Sequence, residues 1–172
     1  MKKFVSLLMC VILSAGLLCA CGNAADGGET GLRNIKWGMT KSEVRKAETA
    51  EFAGADDAYL LYYDRDMKQP IVFHGVNTRN KVDLRYFFNS ENKLFKIQYK
   101  LSAPSVHQEA YDLVKSLMID EYGDPYSEDV QSEENESIVV TSWKKAKSDI
   151  SLSFDTGEGS KGVMLVTFLP NN

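Results

Sequence analysis

This sequence contains few cysteines and histidines and no excess of positive charge. Its 3 Cys are Cys10, Cys19 and Cys21, so thiol catalysis, disulfides and cysteine zinc sites are excluded beyond residue 21. There are 2 His, and 24 acidic against 20 basic residues give a net charge of −4. Nucleic-acid-binding domains need a basic face, and anionic membrane surfaces attract basic segments. The composition therefore argues against both kinds of partner.

The N-terminus has the layout of a secretory signal. Lys2 and Lys3 precede residues 4–20, which carry no charge. This apolar stretch is shorter than the roughly 20 residues that a stable membrane-spanning helix needs. The pattern predicts a signal peptide at 1–20.

The apolar stretch ends in Leu18-Cys19-Ala20-Cys21, which resembles the lipobox of bacterial lipoproteins. The resemblance implies diacylation of Cys21 and cleavage after Ala20, and two acyl chains anchor a protein durably. The alternatives are an ordinary signal peptide cleaved at Ala20 and an uncleaved anchor. We expect a lipid-anchored protein outside the cytoplasm, on the cell membrane or the outer membrane. Residue 22 is Gly rather than Asp, so the resemblance supplies no retention signal.

Residues 21–31 are expected to form a flexible tether, because 22–31 contain four glycines and no large apolar side chain. Loss of residues 1–20 removes Lys2 and Lys3 and changes the net charge from −4 to −6. The remainder, 32–172, has the length of one domain.

Two helices are predicted from capping and spacing. Thr40 and Glu43 form a capping box, which starts a helix expected to end near residue 51. A second helix is expected to open near residue 104 and to end at Gly123. Its inward positions follow helical spacing and are Val106, Ala110, Leu113, Val114, Leu117 and Met118.

Alternation and turn residues predict strands at 59–64, 70–76, 81–88, 94–101, 137–143, 149–154 and 162–169, with a weaker candidate at 126–131. In 94–101 the inward residues are expected to be Phe95, Ile97, Tyr99 and Leu101. The order predicts an α+β fold of two tandem helix-plus-antiparallel-sheet repeats, about 32–101 and 102–172. Together they form one continuous sheet with the helices on one face.

Two motifs resemble parts of known envelope proteins. The run Trp37-Gly38-Met39-Thr40, followed by Glu43 and Val44, resembles the helix start of SmpA/OmlA-type outer-membrane assembly lipoproteins. The run Tyr122-Gly123-Asp124-Pro125 is similar to their helix exit, although residues 51–55 lack the corresponding proline. The doubled arrangement is similar to that of the beta-lactamase inhibitor protein, whose two repeats form a saddle-like sheet. The resemblance implies this fold.

No catalytic or metal-binding constellation stands out. Asp155 opens an Asp-Thr-Gly triplet, but aspartic-protease chemistry needs two carboxylates, and a turn is the interpretation we adopt. His74 and His107 have no neighbour at metal-ligand spacing. The acidic groups near residues 56, 64 and 128 lack the calcium-loop pattern. We therefore expect no enzyme activity, no cofactor and no metal.

Aromatic and arginine side chains mark a candidate binding surface. Phe87 is out of phase with the inward residues of 81–88, so it is expected on the helix-free face with Arg85. Tyr63 and Trp143 join them if their strands keep register. This composition is typical of interface hot spots; a second small cluster covered by a loop or edge is the alternative. Trp37 is expected to pack in the core under the first helix.

Three functions remain open. The first is a lipid-anchored protein-binding or envelope-assembly module that uses the helix-free sheet face. The second is a lipoprotein that holds a small envelope-derived ligand in the sheet concavity. The third is a hydrolase, for which Asp155, His74 and His107 are the only candidate residues.

Overall fold

In the part of the chain that the structure describes, two helices and one antiparallel sheet make up the fold. The computed structural model describes residues 30, 32–64, 82–102, 106–133, 136–155 and 162–171. In chain order the elements are α1 Lys41–Ala47, β1 Glu51–Ala55, β2 Tyr59–Asp64, β3 Val82–Phe88, β4 Leu94–Ser102, α2 Gln108–Tyr122, β5 Ser127–Glu133, β6 Glu136–Lys144, β7 Asp149–Asp155 and β8 Val163–Leu169.

The eight strands form a single sheet in the order β1-β2-β3-β4-β8-β7-β6-β5, and every neighbouring pair is antiparallel. We call α1 with β1–β4 the first half and α2 with β5–β8 the second half. The α+β class and the antiparallel sheet are confirmed. The strand predicted at 70–76 lies outside the described residues. No helix in the described part of the chain is long and apolar enough to cross a membrane.

Helix α1 begins as expected and ends earlier than expected. Thr40 is its N-cap, and the capping box with Glu43 is complete. The helix ends at Ala47 because the side chain of the next residue, Glu48, turns inward and accepts hydrogen bonds from the backbone N–H groups of Thr49 and Ala50. The prediction that it runs to residue 51 is therefore wrong, and β1 begins there instead.

Helix α2 begins at Gln108, with His107 as its N-cap, rather than near residue 104. Nδ1 of His107 accepts a hydrogen bond from the backbone N–H of Ala110, 3.2 Å away. The helix ends at Gly123, whose φ of 75° favours glycine. Leu113 is 38 % exposed, so its predicted inward orientation is wrong.

The core lies on one face of the sheet, and both helices contribute buried side chains to it. Five buried residues lie side by side across β2, β3, β4, β8 and β7: Tyr62, Leu84, Tyr99, Val166 and Leu152. From α2, Tyr111 stacks on Phe154 of β7 at a centroid distance of 5.3 Å. Trp37 is buried, as expected.

A β-bulge between β3 and β4 changes the expected alternation in β4. Phe87 is opposite Lys96, but Phe88 is opposite Leu94, so Phe95 is an extra residue on β4. Leu94 and Ile97 are both buried, whereas Phe95 is 40 % exposed. Because of this extra residue, Leu94 rather than Phe95 points inward, and the prediction that Phe95 points inward is wrong.

Candidate functional site

The sheet face opposite the core, which we call the open face, carries the candidate binding residues. Among the described residues, no helix packs against it. On β2, β3 and β4 its side chains are partly exposed and comprise Tyr59, Leu61, Tyr63, Asp83, Arg85, Phe87, Lys96, Gln98 and Lys100. The open face of β2–β4 is therefore aromatic and basic.

Four of these side chains form a continuous cation–aromatic row across three strands. The guanidinium of Arg85 lies 5.5 Å from the ring centroid of Tyr59. The Tyr59 ring lies 5.6 Å from the ring of Phe87, and Nζ of Lys96 lies 3.8 Å from the Phe87 centroid. Cations at these distances are attracted by the ring quadrupole. The row is thus held in place by its own contacts.

Arg85 retains hydrogen-bonding capacity within the row. Its Nη2 donates to Oδ2 of Asp83 at 3.1 Å, and the two side chains are about a quarter exposed. Its Nε is buried and has no hydrogen-bond partner among the described residues. A buried donor without a partner costs free energy, and a ligand carbonyl or carboxylate that reached it would remove that cost.

The predicted binding residues are only partly brought together. Arg85 and Phe87 lie on the open face as expected, and Tyr63 lies there opposite Asp83. Trp143 is 1 % exposed, and its Nε1 donates to the carbonyl of Gly123 at the end of α2. The placement of Trp143 on the open face is wrong, because β6 keeps the register that turns this ring into the core.

Tyr59 and Lys96 belong to the site but were not among its predicted residues. Tyr59 was within reach of the sequence, since it alternates in phase with Tyr63 on β2. Lys96 was also within reach of the sequence, because it alternates with Ile97 and Tyr99, which were expected to point inward.

The second half of the open face has a different character. A transverse row of small polar side chains crosses it, namely Thr167, Ser151, Ser142 and Ser127. Gln98 Nε2 donates to Oγ1 of Thr167 at 3.3 Å, which joins this row to β4. The described open-face positions of β5–β8 include no aromatic residue. The aromatic part of the site is therefore confined to the first half.

The residues considered for catalysis or metal binding are dispersed. Asp155 ends β7 opposite Ile138, while His74 and the rest of the Asp-Thr-Gly triplet lie outside the described residues. His107 caps α2, and its Nδ1 lies 3.1 Å from Oε2 of Glu109. Among the described residues, no group of three His, Cys, Asp or Glu side chains could hold a metal ion.

A buried carboxylate lies at the C-terminal end of α1. The side chain of Glu48 is fully buried and accepts hydrogen bonds from Nε and Nη2 of Arg33, at 3.0 and 2.8 Å, and from the Tyr86 hydroxyl. Burial raises the pKa of the Glu48 carboxyl, but the bonds from Arg33 and Tyr86 outweigh this and hold the pKa below its usual value of 4.5. The pKa of the Tyr86 hydroxyl is well above 10.0 because of its burial. This group stabilises the fold and is closed to a substrate.

Comparison of the chain with protein-family models, with curated proteins and with solved structures found no match.

Proposed function

We propose that this chain is an exported protein, anchored to a membrane by lipid on Cys21, that binds a partner protein through the first half of the open face. The observation that supports the proposal most directly is the cation–aromatic row of Arg85, Tyr59, Phe87 and Lys96. Tyrosine and arginine are the residues most enriched in interface hot spots. An envelope-assembly or inhibitory role would use this surface without a catalytic group.

Two features of the row favour a binding role over a purely structural one. Its rings and cations lie partly exposed on the open face and not in the core on the helix side of the sheet. Rings held in place by neighbours lose little conformational entropy when a partner binds. Aromatic anchors of this kind give affinity at low ordering cost.

Cross-linking of the full-length chain in intact source cells, followed by mass spectrometry, tests the proposal. We expect one envelope protein to be captured, and the double change Arg85→Glu and Phe87→Ala to abolish its capture. The matched control is Arg45→Glu with Phe52→Ala, because Arg45 also lies over a ring, at 4.3 Å, and Phe52 is 43 % exposed at the β1 edge. Melting curves of both variants verify that they are folded. Capture that survives the open-face change contradicts the proposed surface.

The lipid anchor has its own test. Cells grown with labelled palmitate should incorporate the label into the wild-type chain and into Cys19→Ser. They should not incorporate it into Cys21→Ser, because the thiol that accepts the lipid is then missing. Equal labelling of the two variants would contradict acylation of Cys21.

We further propose that the two halves are tandem repeats of one helix-plus-sheet unit, as the resemblance to the beta-lactamase inhibitor protein implies. Each half consists of one helix followed by four antiparallel strands, and the halves join through their last strands, β4 and β8. The resemblance to SmpA/OmlA-type lipoproteins agrees with an assembly role and stays a prediction.

A second candidate function is the binding of a small envelope-derived ligand across the sheet. It is favoured by the amide and hydroxyl groups of Gln98, Thr167 and Ser151, which lie beside the aromatic row. A thermal-shift screen with envelope extracts would then raise the melting temperature by mass action. A flat response across the screen would count against this function.

A further inference from the structure

Two lysines on β4 lie beside the aromatic row without a carboxylate of their own. In the described part of the chain, the contact of Lys96 is with the Phe87 ring. Lys100 is the direct neighbour of Asp83 on β3, but Asp83 already bonds Arg85. The open face of β2–β4 therefore presents three cations, Arg85 and the two lysines, against one acid. A chain with a net charge of −4 thus carries a basic surface.

The spacing of these cations fits an extended chain. Lys96 and Lys100 are four residues apart on the same side of β4, which corresponds to about 13 Å along a strand. Two carboxylates four residues apart in another extended segment have the same separation. Between the lysines lies Gln98, and beside it on β3 lies Arg85, whose Nε has no hydrogen-bond partner in the described part of the chain.

We infer that the partner presents to the first half of the open face an extended acidic segment, with two carboxylates four residues apart. This inference rests on the proposed protein-binding function and names the chemistry of the partner. The carboxylates bind Lys96 and Lys100, a polar group between them reaches Gln98 and Arg85, and an apolar side chain packs on Phe87 and Tyr59.

The charge distribution favours a short segment over a broad anionic surface. At its described positions, the second half of the open face carries Asp129 and Asp149 against Lys144, so it repels a membrane or a long polyanion. Screening reduces interactions between exposed charges beyond about 8–10 Å. A short segment confined to β2–β4 meets the cations and avoids the acids.

Fluorescence anisotropy with the full-length chain in detergent tests this inference. The probe is a labelled peptide of alternating threonine and serine that carries two glutamates four residues apart, and its counterpart has glutamines at those positions. We expect the glutamate peptide to bind about tenfold more tightly than the glutamine peptide, and added salt to remove the difference.

The variant Lys96→Gln with Lys100→Gln should lose this preference. Lys46→Gln with Lys144→Gln makes the same change in net charge elsewhere and should keep it. Equal binding of the two peptides overturns the acidic segment, as does preferential binding to phosphatidylglycerol vesicles over the glutamate peptide. The proposed function is judged separately, because the single change Phe87→Ala should abolish capture in cells whatever the charge of the partner.

Discussion

Individual charged residues of this chain divide into those enclosed by the fold and those left available at its surface. Glu48 is enclosed, because Arg33, Tyr86 and two backbone N–H groups satisfy its carboxylate. Lys96 is available, because its neighbour is a ring rather than an acid. The first kind of charge stabilises the structure. For the second kind, the cost of desolvation is offset only when a partner supplies the opposite charge.

Glu48 should make the stability of the protein depend on pH in the acidic range. Its pKa in the folded state is below 4.5, so as the pH falls the unfolded chain binds the proton first. The ionised carboxylate therefore stabilises the fold fully above about pH 4.5, and this stabilisation is lost as the pH falls through the folded-state pKa. Glu48→Gln should cost about 3 kcal/mol at neutral pH, because Arg33 is left without its counter-charge.

Urea unfolding of the wild type and of Glu48→Gln across the acidic range measures this. The difference in unfolding free energy should shrink as the pH falls below 4.5. Glu121→Gln, on the exposed surface of α2, is the control and should change stability by no more than about 0.5 kcal/mol. A difference that stays constant with pH would show that Glu48 is not ionised in the folded protein.

Residue roles could be predicted from the sequence only where alternation was unambiguous. Arg85 and Phe87 follow from the strict pattern of β3, which alternates buried and partly exposed residues. Trp143 could not be placed, because β6 has apolar residues at 138, 139 and 140, on both faces of the strand. The buried role of Glu48 could not be predicted from the sequence either. It depends on Arg33, which has a φ of 48°, and on Tyr86 from a distant strand.

At the scale of whole elements, strands were easier to predict than their register. β3, β7 and β8 each show the two-residue period in their burial, and the sequence carries the same period. The bulge at Phe95 is invisible there, because an extra residue on one strand is defined only by its partner. The bulge puts Leu94 rather than Phe95 in the core and leaves the alternation from Lys96 to Leu101 unchanged.

The start of β8 is tied to the segment that leads into α2, and this contact predicts a sharp glycine requirement. Gly162 has a φ of 56°, and a Cβ there would lie 2.6 Å from the carbonyl oxygen of Val106. Gly162→Ala should therefore destabilise the protein by at least about 2 kcal/mol, from backbone strain and the close approach together.

Gly54→Ala is the matched control for that change, because a Cβ at Gly54 on the β1 edge meets nothing within 4 Å. We expect its free energy of unfolding to stay within about 0.5 kcal/mol of the wild type. Similar losses for the two variants in chemical denaturation would contradict the close approach at Val106.

Within the described residues, strand pairing and side-chain hydrogen bonds join the two halves. Inside the sheet, β4 pairs with β8. On the helix side, Trp37 Nε1 donates to the carbonyl of Lys147 at 3.1 Å, and Ser148 Oγ donates to the carbonyl of Thr30 at 2.9 Å. The segment that precedes α1 is thereby fastened to the β6–β7 turn of the other half. A partner that binds the first half consequently contacts a surface whose position depends on both halves.

The pairing of β4 with β8 also orders events in time. Hairpins within each half join near neighbours in sequence, but Gln98 and Thr167 meet across 69 residues, and closure of a long loop precedes any gain from its contacts. We expect the halves to form first and the β4–β8 seam to close late.

In a double-mutant cycle, coupling between Tyr99 and Phe168 across the seam should then appear in the unfolding rate. Coupling between Tyr62 and Tyr86 within the first half should appear in the refolding rate.

Until the seam closes, each half exposes its last strand as an unpaired edge. Refolding at high concentration should therefore favour dimers in which β4 of one chain pairs with β8 of another.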